Sequence, residues 1–213
     1  MKNSLIILSG GMDSTVLLYD RLPSIALAIT FKYGQKHLKE IAKAKSICDH
    51  LGVPHKIVEL SLNNILKSHL LEGGGDIPEG HYEDLSMKKT VVPFRNGIML
   101  SIAVGIAESE GLNQVLTAVH TGDHAIYPDC RPKFISNISN AAFRGTYNEV
   151  IISAPYIECS KRDIALIGKD LKVPFEATWS CYNGREKHCG KCGTCVERKE
   201  ALLGFDPTIY EGD

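Results

Sequence analysis

The sequence has no apolar run approaching the roughly 18 residues needed to span a bilayer. It has no charge excess either: 24 Lys and Arg against 25 Asp and Glu give a formal net charge of −1. A protein that holds nucleic acid or an anionic lipid surface through its general field needs a basic excess, so neither class of partner is expected. Internal repeats and low-complexity tracts are absent, which argues against a solenoid or a disordered tail. The first apolar run starts at Leu5 and leaves no room for a signal peptide, so a cytoplasmic location is expected. Two phosphate-binding patterns are also missing: no G-x-x-x-x-G-K-[ST] and no G-x-G-x-x-G occurs. Lys-assisted phosphate loops and the dinucleotide-binding turn are thereby excluded.

What is present is an ordinary globular composition, 44% apolar and 23% charged, over 213 residues. Such a chain buries roughly 70% of its extended surface and folds without disulfides. One domain over residues 1–213 is expected. Leu5-Ile6-Ile7-Leu8 is a continuous apolar run of the kind buried on both faces of a parallel sheet. It runs into Ser9-Gly10-Gly11 and then Met12-Asp13-Ser14-Thr15-Val16-Leu17-Leu18, which predicts a strand, a tight loop and a helix capped by Asp13 or Ser14. Backbone N–H groups at such a helix start bind anions, most naturally phosphate. The plainer alternative is an ordinary strand-to-helix turn.

Further along, Ile25–Phe31 predicts a second strand and Leu38, Ile41, Ala44, Cys48 and Leu51 mark an amphipathic helix closed by Gly52. His55–Leu60 predicts a third strand, Gly97–Glu110 a deeply buried helix, and Val115–Ala118 a fourth strand. A helix over Pro132–Gly145, a fifth strand at Val150–Ile152, a Ser160-capped helix over Lys161–Leu171 and a short helix at Val196–Leu203 complete the pattern. Alternating strands and helices predict an α/β fold with a doubly wound, mainly parallel five-stranded sheet. Residues 72–92, with Gly73-Gly74-Gly75, Pro78 and Gly80, read as a long mobile loop, either a lid or a disordered insertion.

Ligands in open parallel sheets bind beyond the carboxyl ends of the strands. Four polar stretches fall there: Ser9–Thr15, Tyr33–His37, His120–Arg131 and Ala154-Pro155. Each has a structural alternative, such as a surface histidine at His37, a helix cap at Arg95-Asn96 or a loop salt-bridge network among Asp123, Asp129 and Arg131. Cys130 reads as a packed thiol, since no general-base partner is assignable. Their convergence on one edge carries more weight than any one of them.

Four of the seven cysteines, Cys181, Cys189, Cys192 and Cys195, fall within 15 residues. Four thiolates make a closed tetrahedral site with no open catalytic position, and one structural zinc in a segment at 179–200 is expected. An iron–sulfur cluster is the competitor, but the fourth cysteine and proline of the bacterial ferredoxin pattern are replaced by Val196-Glu197-Arg198-Lys199.

The Ser-Gly-Gly-Met-Asp-Ser-Thr string resembles the pyrophosphate loop of the AMP-forming ATP pyrophosphatase (PP-loop) superfamily. Phe31-Lys32-Tyr33-Gly34-Gln35-Lys36-His37, Pro93-Phe94-Arg95-Asn96, Tyr127-Pro128-Asp129-Cys130-Arg131, and Thr178-Trp179-Ser180-Cys181-Tyr182 with the later cysteines follow in order. Together they resemble the 7-cyano-7-deazaguanine synthase family of queuosine and deazapurine biosynthesis, over essentially the whole chain. The resemblance implies a fold of the adenine-nucleotide alpha-hydrolase type. It implies an ATP-dependent carbon–nitrogen ligase acting on 7-carboxy-7-deazaguanine and ammonia by successive adenylation of acid and amide. ATP, Mg²⁺, Zn²⁺ and a homodimer come with it. ATP would lie along Leu8–Leu18, with Ser9, Gly10, Gly11, Ser14 and Thr15 on pyrophosphate and Asp13 orienting magnesium. Arg95 would stabilise phosphoryl charge, and Asp123, Tyr127 and Asp129 would read the base edge. Tyr33, Gln35, His37, Asn96, Arg131 and Lys161 are further substrate candidates. At Asp123-His124-Ala125-Ile126 the chain departs from the family pattern, where an aromatic residue and a Ser-Gly pair often follow the aspartate. Three readings stay open beside the ligase: a deazaguanine-acid adenylating enzyme with another amine or protein acceptor, a tRNA-modifying sulfurtransferase, and a non-catalytic nucleotide-binding module.

Overall fold

The computed structural model describes residues 2–81 and 85–212. Its centre is a five-stranded, all-parallel sheet in the order β3-β2-β1-β4-β5. The strands are β1 (Ser4–Ile7), β2 (Ile25–Lys32), β3 (His55–Glu59), β4 (Gln114–Leu116) and β5 (Ile151–Ser153). Helices α1 (Met12–Arg21), α2 (Lys39–Leu51), α3 (Arg95–Ser109), α4 (Pro132–Gly145), α5 (Lys161–Asp170) and α6 (Gly193–Ala201) complete it. The period-2 alternation of β1 sends Leu5 into one core with Leu100 and Ala103 of α3, and Ile6 and Leu8 into the other. That second core contains Val16 and Leu17 of α1, Ala44 and Cys48 of α2, and Ile164 and Ala165 of α5. Both faces of the sheet are thus covered, which is why β1 and β2 are apolar without alternation. Edge strand β3 shows the contrast, with Lys56, Ile57 and Glu59 exposed.

The chain passes from the β1-β2-β3 side to the β4-β5 side through α3. This makes the gap beyond the ends of β1 and β4 the switch point where ligands bind in such sheets. Among the described residues no helix is long and apolar enough to cross a membrane.

Three expectations change. Helix α1 is capped by the Gly11 backbone without a side-chain cap, and Asp13 and Ser14 lie in its first turn. Helix α6 begins at Gly193, inside the cysteine cluster, because the Cys192 carbonyl accepts from the Cys195 and Val196 N–H groups at 2.9 and 3.1 Å. The third concerns residues 72–92, of which 82–84 lie outside the described residues. The rest is a pinned strap, not a loose loop. The Gly80 N–H donates to the Lys191 carbonyl, and Met87 and Val92 are buried. Thr90 is buried as well, its hydroxyl 3.1 Å from the Tyr127 hydroxyl. Isolated apolar anchors without periodicity hold this strap, so no pattern announced it.

Candidate active site

Where β1 ends, the backbone turns back through Gly10 at φ +85. That conformation is open to glycine and unfavourable for other residues. A Cβ there would also sit 2.1 Å from the Glu40 carbonyl oxygen of α2. The turn lays Ser9 and Gly11 against the start of α1. The Ser9 N–H donates to the Ser14 hydroxyl at 3.1 Å, the two hydroxyls are 2.9 Å apart, and the Gly11 N–H donates to the Ser9 hydroxyl. The loop is therefore fixed by its own hydroxyls, with the first-turn amides of α1 lacking intrahelical acceptors.

This loop forms one wall of a cavity of about 240 Å³ at the switch point. Ser9, Gly11, Met12, Asp13 and Ser14 line it, and so does Leu8. The rest of the proposed ATP stretch does not. Gly10 packs on α2, the Thr15 hydroxyl donates to the Gly11 carbonyl, and Val16, Leu17 and Leu18 are wholly buried in the core. Facing the loop are Tyr33, Gln35 and His37 after β2, Arg95 and Asn96 at the start of α3, and Asp123, Tyr127 and Lys161. Residues from more than 150 positions of chain thus meet in one space.

One expected base-reading residue, Asp129, and one further substrate candidate, Arg131, are placed elsewhere. Asp129 is buried outside the cavity wall, where its carboxylate accepts the Asn96 N–H at 2.8 Å and caps α3. Arg131 donates from Nε to the His124 carbonyl and lies outside the wall too. Gln35 reaches the wall, but its amide bridges the Tyr33 N–H and the Phe31 carbonyl and so shapes its own loop. Arg95 donates to the Tyr33 hydroxyl at 3.2 Å and stays firmly charged. Burial pushes the Cys130 thiol up, in keeping with a packed group and not a nucleophile.

A charged network underlies the loop. Lys161 Nζ lies 3.1 Å from Asp13 Oδ2 and 2.7 Å from Glu197 Oε2, and His120 Nε2 lies 3.9 Å from Asp13. Burial alone would raise the Asp13 pKa, but Lys161 and then His120 bring it below the usual carboxylate value. Burial would likewise depress Lys161, yet Asp13 and Glu197 outweigh it and raise the ammonium's pKa. Asp13 Oδ1 is buried with no hydrogen-bond partner among the described residues, an atom suited to a cation.

The four cysteines form a compact group, with sulfur atoms within 4.8 Å of one another and Cys189 to Cys195 at 3.9 Å. A tetrahedron of metal–sulfur bonds near 2.3 Å has edges of about 3.8 Å. N–H donors also surround the sulfurs: Cys189 N–H to Cys181, and Lys191 N–H, Cys192 N–H and Asn183 Nδ2 to Cys189. Such donors stabilise thiolates and orient ligands, so the residues fit a four-coordinate metal.

Sequence reading missed the link between this cluster and the cavity. Glu197 belongs to α6, as do Cys195 and Thr194, and Thr194, Trp179, Ser180 and Tyr182 line the cavity. Arg198 ties the two together. It is fully buried, donating to the Thr208, Thr178 and Ser180 hydroxyls and to the Phe175 carbonyl at 2.7–3.1 Å. Its spacing of three from Cys195 on one short helix was the available signal. Arg198→Met should leave those acceptors unpaired and cost about 3–5 kcal/mol. Thermal denaturation should register it as a fall of roughly 8–15 °C.

The family described as "Queuosine biosynthesis protein QueC" matches residues 3–206. The chain belongs to this family. Similar relatives named 7-cyano-7-deazaguanine synthase include one from Porphyromonas gingivalis, 55% identical over 99% of this chain and 98% of its own. Another, from Methanoregula boonei, is 50% identical over 98% and 99%. Among solved structures, an NMN synthetase from Francisella tularensis overlays with a TM-score of 0.53 at 13% identity, covering 87% of this chain and 68% of that one. The last similarity concerns the fold alone. For QueC family membership, the spans from Ser9 to Thr15 and from Cys181 to Cys195 both lie within the matched residues.

Proposed function

We propose that the chain is an ATP-dependent ligase that converts 7-carboxy-7-deazaguanine and ammonia to 7-cyano-7-deazaguanine. The observation that carries this reading is the convergence, within a member of this family, of a lysine-free Ser-Gly-Gly loop and an aromatic wall on one cavity. A carboxylate oxygen leaves poorly, and transfer of AMP to it turns it into a good leaving group. Ammonia then displaces AMP to give the amide. The amide oxygen takes a second AMP with loss of one nitrogen proton, and loss of that AMP with the remaining proton gives the nitrile. Two ATP molecules become two AMP and two pyrophosphate.

In this reading Ser9, Gly11, Ser14 and the first-turn amides of α1 hold the pyrophosphate end. Lys161 sits 3.1 Å from Asp13 and can meet developing phosphoryl charge across a short distance. Arg95, anchored on Tyr33, supplies a second fixed cation. Magnesium, when bound, would neutralise phosphate charge, and Asp13 Oδ1 is the atom free to meet it. Tyr33 and Tyr182 offer faces and hydroxyls for a planar heterocycle. Zinc on Cys181, Cys189, Cys192 and Cys195 would hold the segment that builds the opposite wall. A homodimer is part of the proposal, and exposed Tyr147 before edge strand β5 and Ile151 at its start are apolar surface it can use.

Purified protein with ATP, magnesium, ammonium and 7-carboxy-7-deazaguanine is expected to yield the nitrile with two AMP and two pyrophosphate per product, read by mass spectrometry. ADP as the nucleotide product would overturn the loop assignment. AMP without nitrile, even from supplied amide, would transfer the reading to another acceptor.

A further inference from the structure

Between amide and nitrile, nitrogen loses two protons, the first as the amide oxygen is adenylated and the second as AMP leaves, and a base in the cavity can accept the second. Three carboxylates line that space: Asp13, Asp123 and Glu40. Asp13 is ion-paired to Lys161 and held at low basicity. Asp123 accepts the His120 N–H and closes the turn that follows β4. Glu40 differs from both. It stands in the first turn of α2, where its backbone carbonyl supports Gly10 of the phosphate loop and its side chain enters the cavity. No described residue ion-pairs or hydrogen-bonds with its carboxylate. Arg95 of α3 is the charged group that acts on it, while Tyr33 faces it from the end of β2.

We propose that Glu40 is the general base of the amide-to-nitrile step, a role that rests on the ligase reading above. The adenylated amide carries a C=N–H group and a C–O–AMP bond. The N–H bond breaks and its proton goes to a Glu40 carboxylate oxygen. The N–H electron pair forms the third carbon–nitrogen bond, and the C–O bond breaks with its pair leaving on AMP. The products are nitrile, AMP and a protonated Glu40, which returns its proton to water through the open side of the cavity.

The chemistry of the carboxylate suits this work. Burial without a compensating partner, only partly offset by Arg95, pushes its pKa up to about 7, where a base is both available and effective at neutral pH. The remaining candidate, His37, is also in the wall, but burial pulls its pKa down and makes it the weaker base. A half-buried carboxylate in the cavity wall with no ion pair or hydrogen bond to a described residue is a cost that a binding or catalytic role explains.

The test compares wild type, Glu40→Gln and Glu40→Asp with the amide and ATP supplied directly. Glu40→Gln keeps the shape and the backbone support of Gly10 but accepts no proton. It is expected to lower kcat for nitrile formation by at least 100-fold with the amide KM changed less than threefold. Acid-dependent exchange of pyrophosphate into ATP, which moves no nitrogen proton, should fall less than tenfold. Glu40→Asp should recover part of kcat with a shifted acid limb of the pH profile. The Gln variant should also melt above wild type at pH 8 and level with it at pH 4.5, because only the ionised carboxylate strains the folded state. A raised amide KM with kcat kept would overturn the proposal and make Glu40 a hydrogen-bond acceptor for the heterocycle. So would equal losses in exchange and nitrile formation. If wild type makes no nitrile from the amide, the ligase reading itself fails before any variant is compared.

Discussion

Cys195→Ser is expected to prevent metal binding at the four-cysteine cluster and to disrupt the cavity proposed as the active site while most of the sheet survives. Structural zinc in a comparable closed site contributes on the order of 10 kcal/mol to local folding. Loss of one thiolate of four should forfeit a large part of that. The reason activity should go with it is local. The segment contributes Trp179, Ser180, Tyr182 and Thr194 to the cavity wall, and α6 carries Glu197 to Lys161 beneath the phosphate loop. Few apolar contacts hold this region otherwise: its small core comprises the four cysteines with Trp179 and Tyr210. Trp179 is the one tryptophan of the chain, its ring 4.2 Å from that of His188 and its indole N–H donating to the Cys181 carbonyl. Its fluorescence therefore reports on this segment alone. In Cys195→Ser, or in wild type with a strong chelator, emission should shift to the red while far-UV circular dichroism keeps most of its helical signal. Metal analysis should give one zinc per wild-type chain and none in the variant. A variant that keeps metal, emission and turnover would show that the cluster does not support the cavity.

The parts of the fold that were legible in the sequence are those with a repeating physical signal. Leu5–Leu8 and Ile25–Phe31 announced buried strands because both faces of the sheet are covered. Helix α4 was readable to its ends at Pro132 and Gly145, and α5 by its Ser160 cap, whose hydroxyl accepts the Asp163 N–H. The site was legible where a motif exists on one loop, as at Ser9–Ser14 and the cysteines. It was not legible where role depends on which polar group finds a protein partner. Asp129 and Glu40 look alike as sequence, each a carboxylate near a helix start. Only the fold shows that Asp129 is consumed by the Asn96 N–H and that Glu40 is left facing the cavity. Arg198 illustrates the same limit from the other side. In Val196-Glu197-Arg198-Lys199 the charges suggest a solvated face, yet two of them point inward, one to Lys161 and one to a nest of hydroxyls.

Gly10→Ala is expected to be far more damaging than Gly11→Ala, although the two glycines adjoin in one loop. At Gly10 the left-handed conformation alone costs an alanine about 1–2 kcal/mol. The larger penalty is the collision, with a Cβ 2.1 Å from the Glu40 carbonyl oxygen and 2.9 Å from the Ala44 nitrogen. Both are backbone atoms of one helix, so no side-chain rotation relieves them, and α2 has to withdraw from the loop. Withdrawal moves Glu40 out of the wall and breaks the hydrogen bond from the Trp179 N–H to the Gly10 carbonyl, which joins the phosphate loop to the metal-binding segment. A total cost of at least about 4 kcal/mol is expected, in the range reserved for backbone strain and overpacking. At Gly11 φ is −76, and a Cβ would meet only the Ser9 hydroxyl at 3.1 Å and the Trp179 carbonyl at 3.5 Å. Gly11→Ala should therefore fold with a loss of about 1 kcal/mol or less, and its deficit should appear in the KM for ATP. Urea denaturation of both variants, with ATP-dependent AMP release measured on the soluble fraction, separates the two. Equal stability of Gly10→Ala and wild type would mean that α2 does not press on the loop, and that Glu40 is free to stand elsewhere.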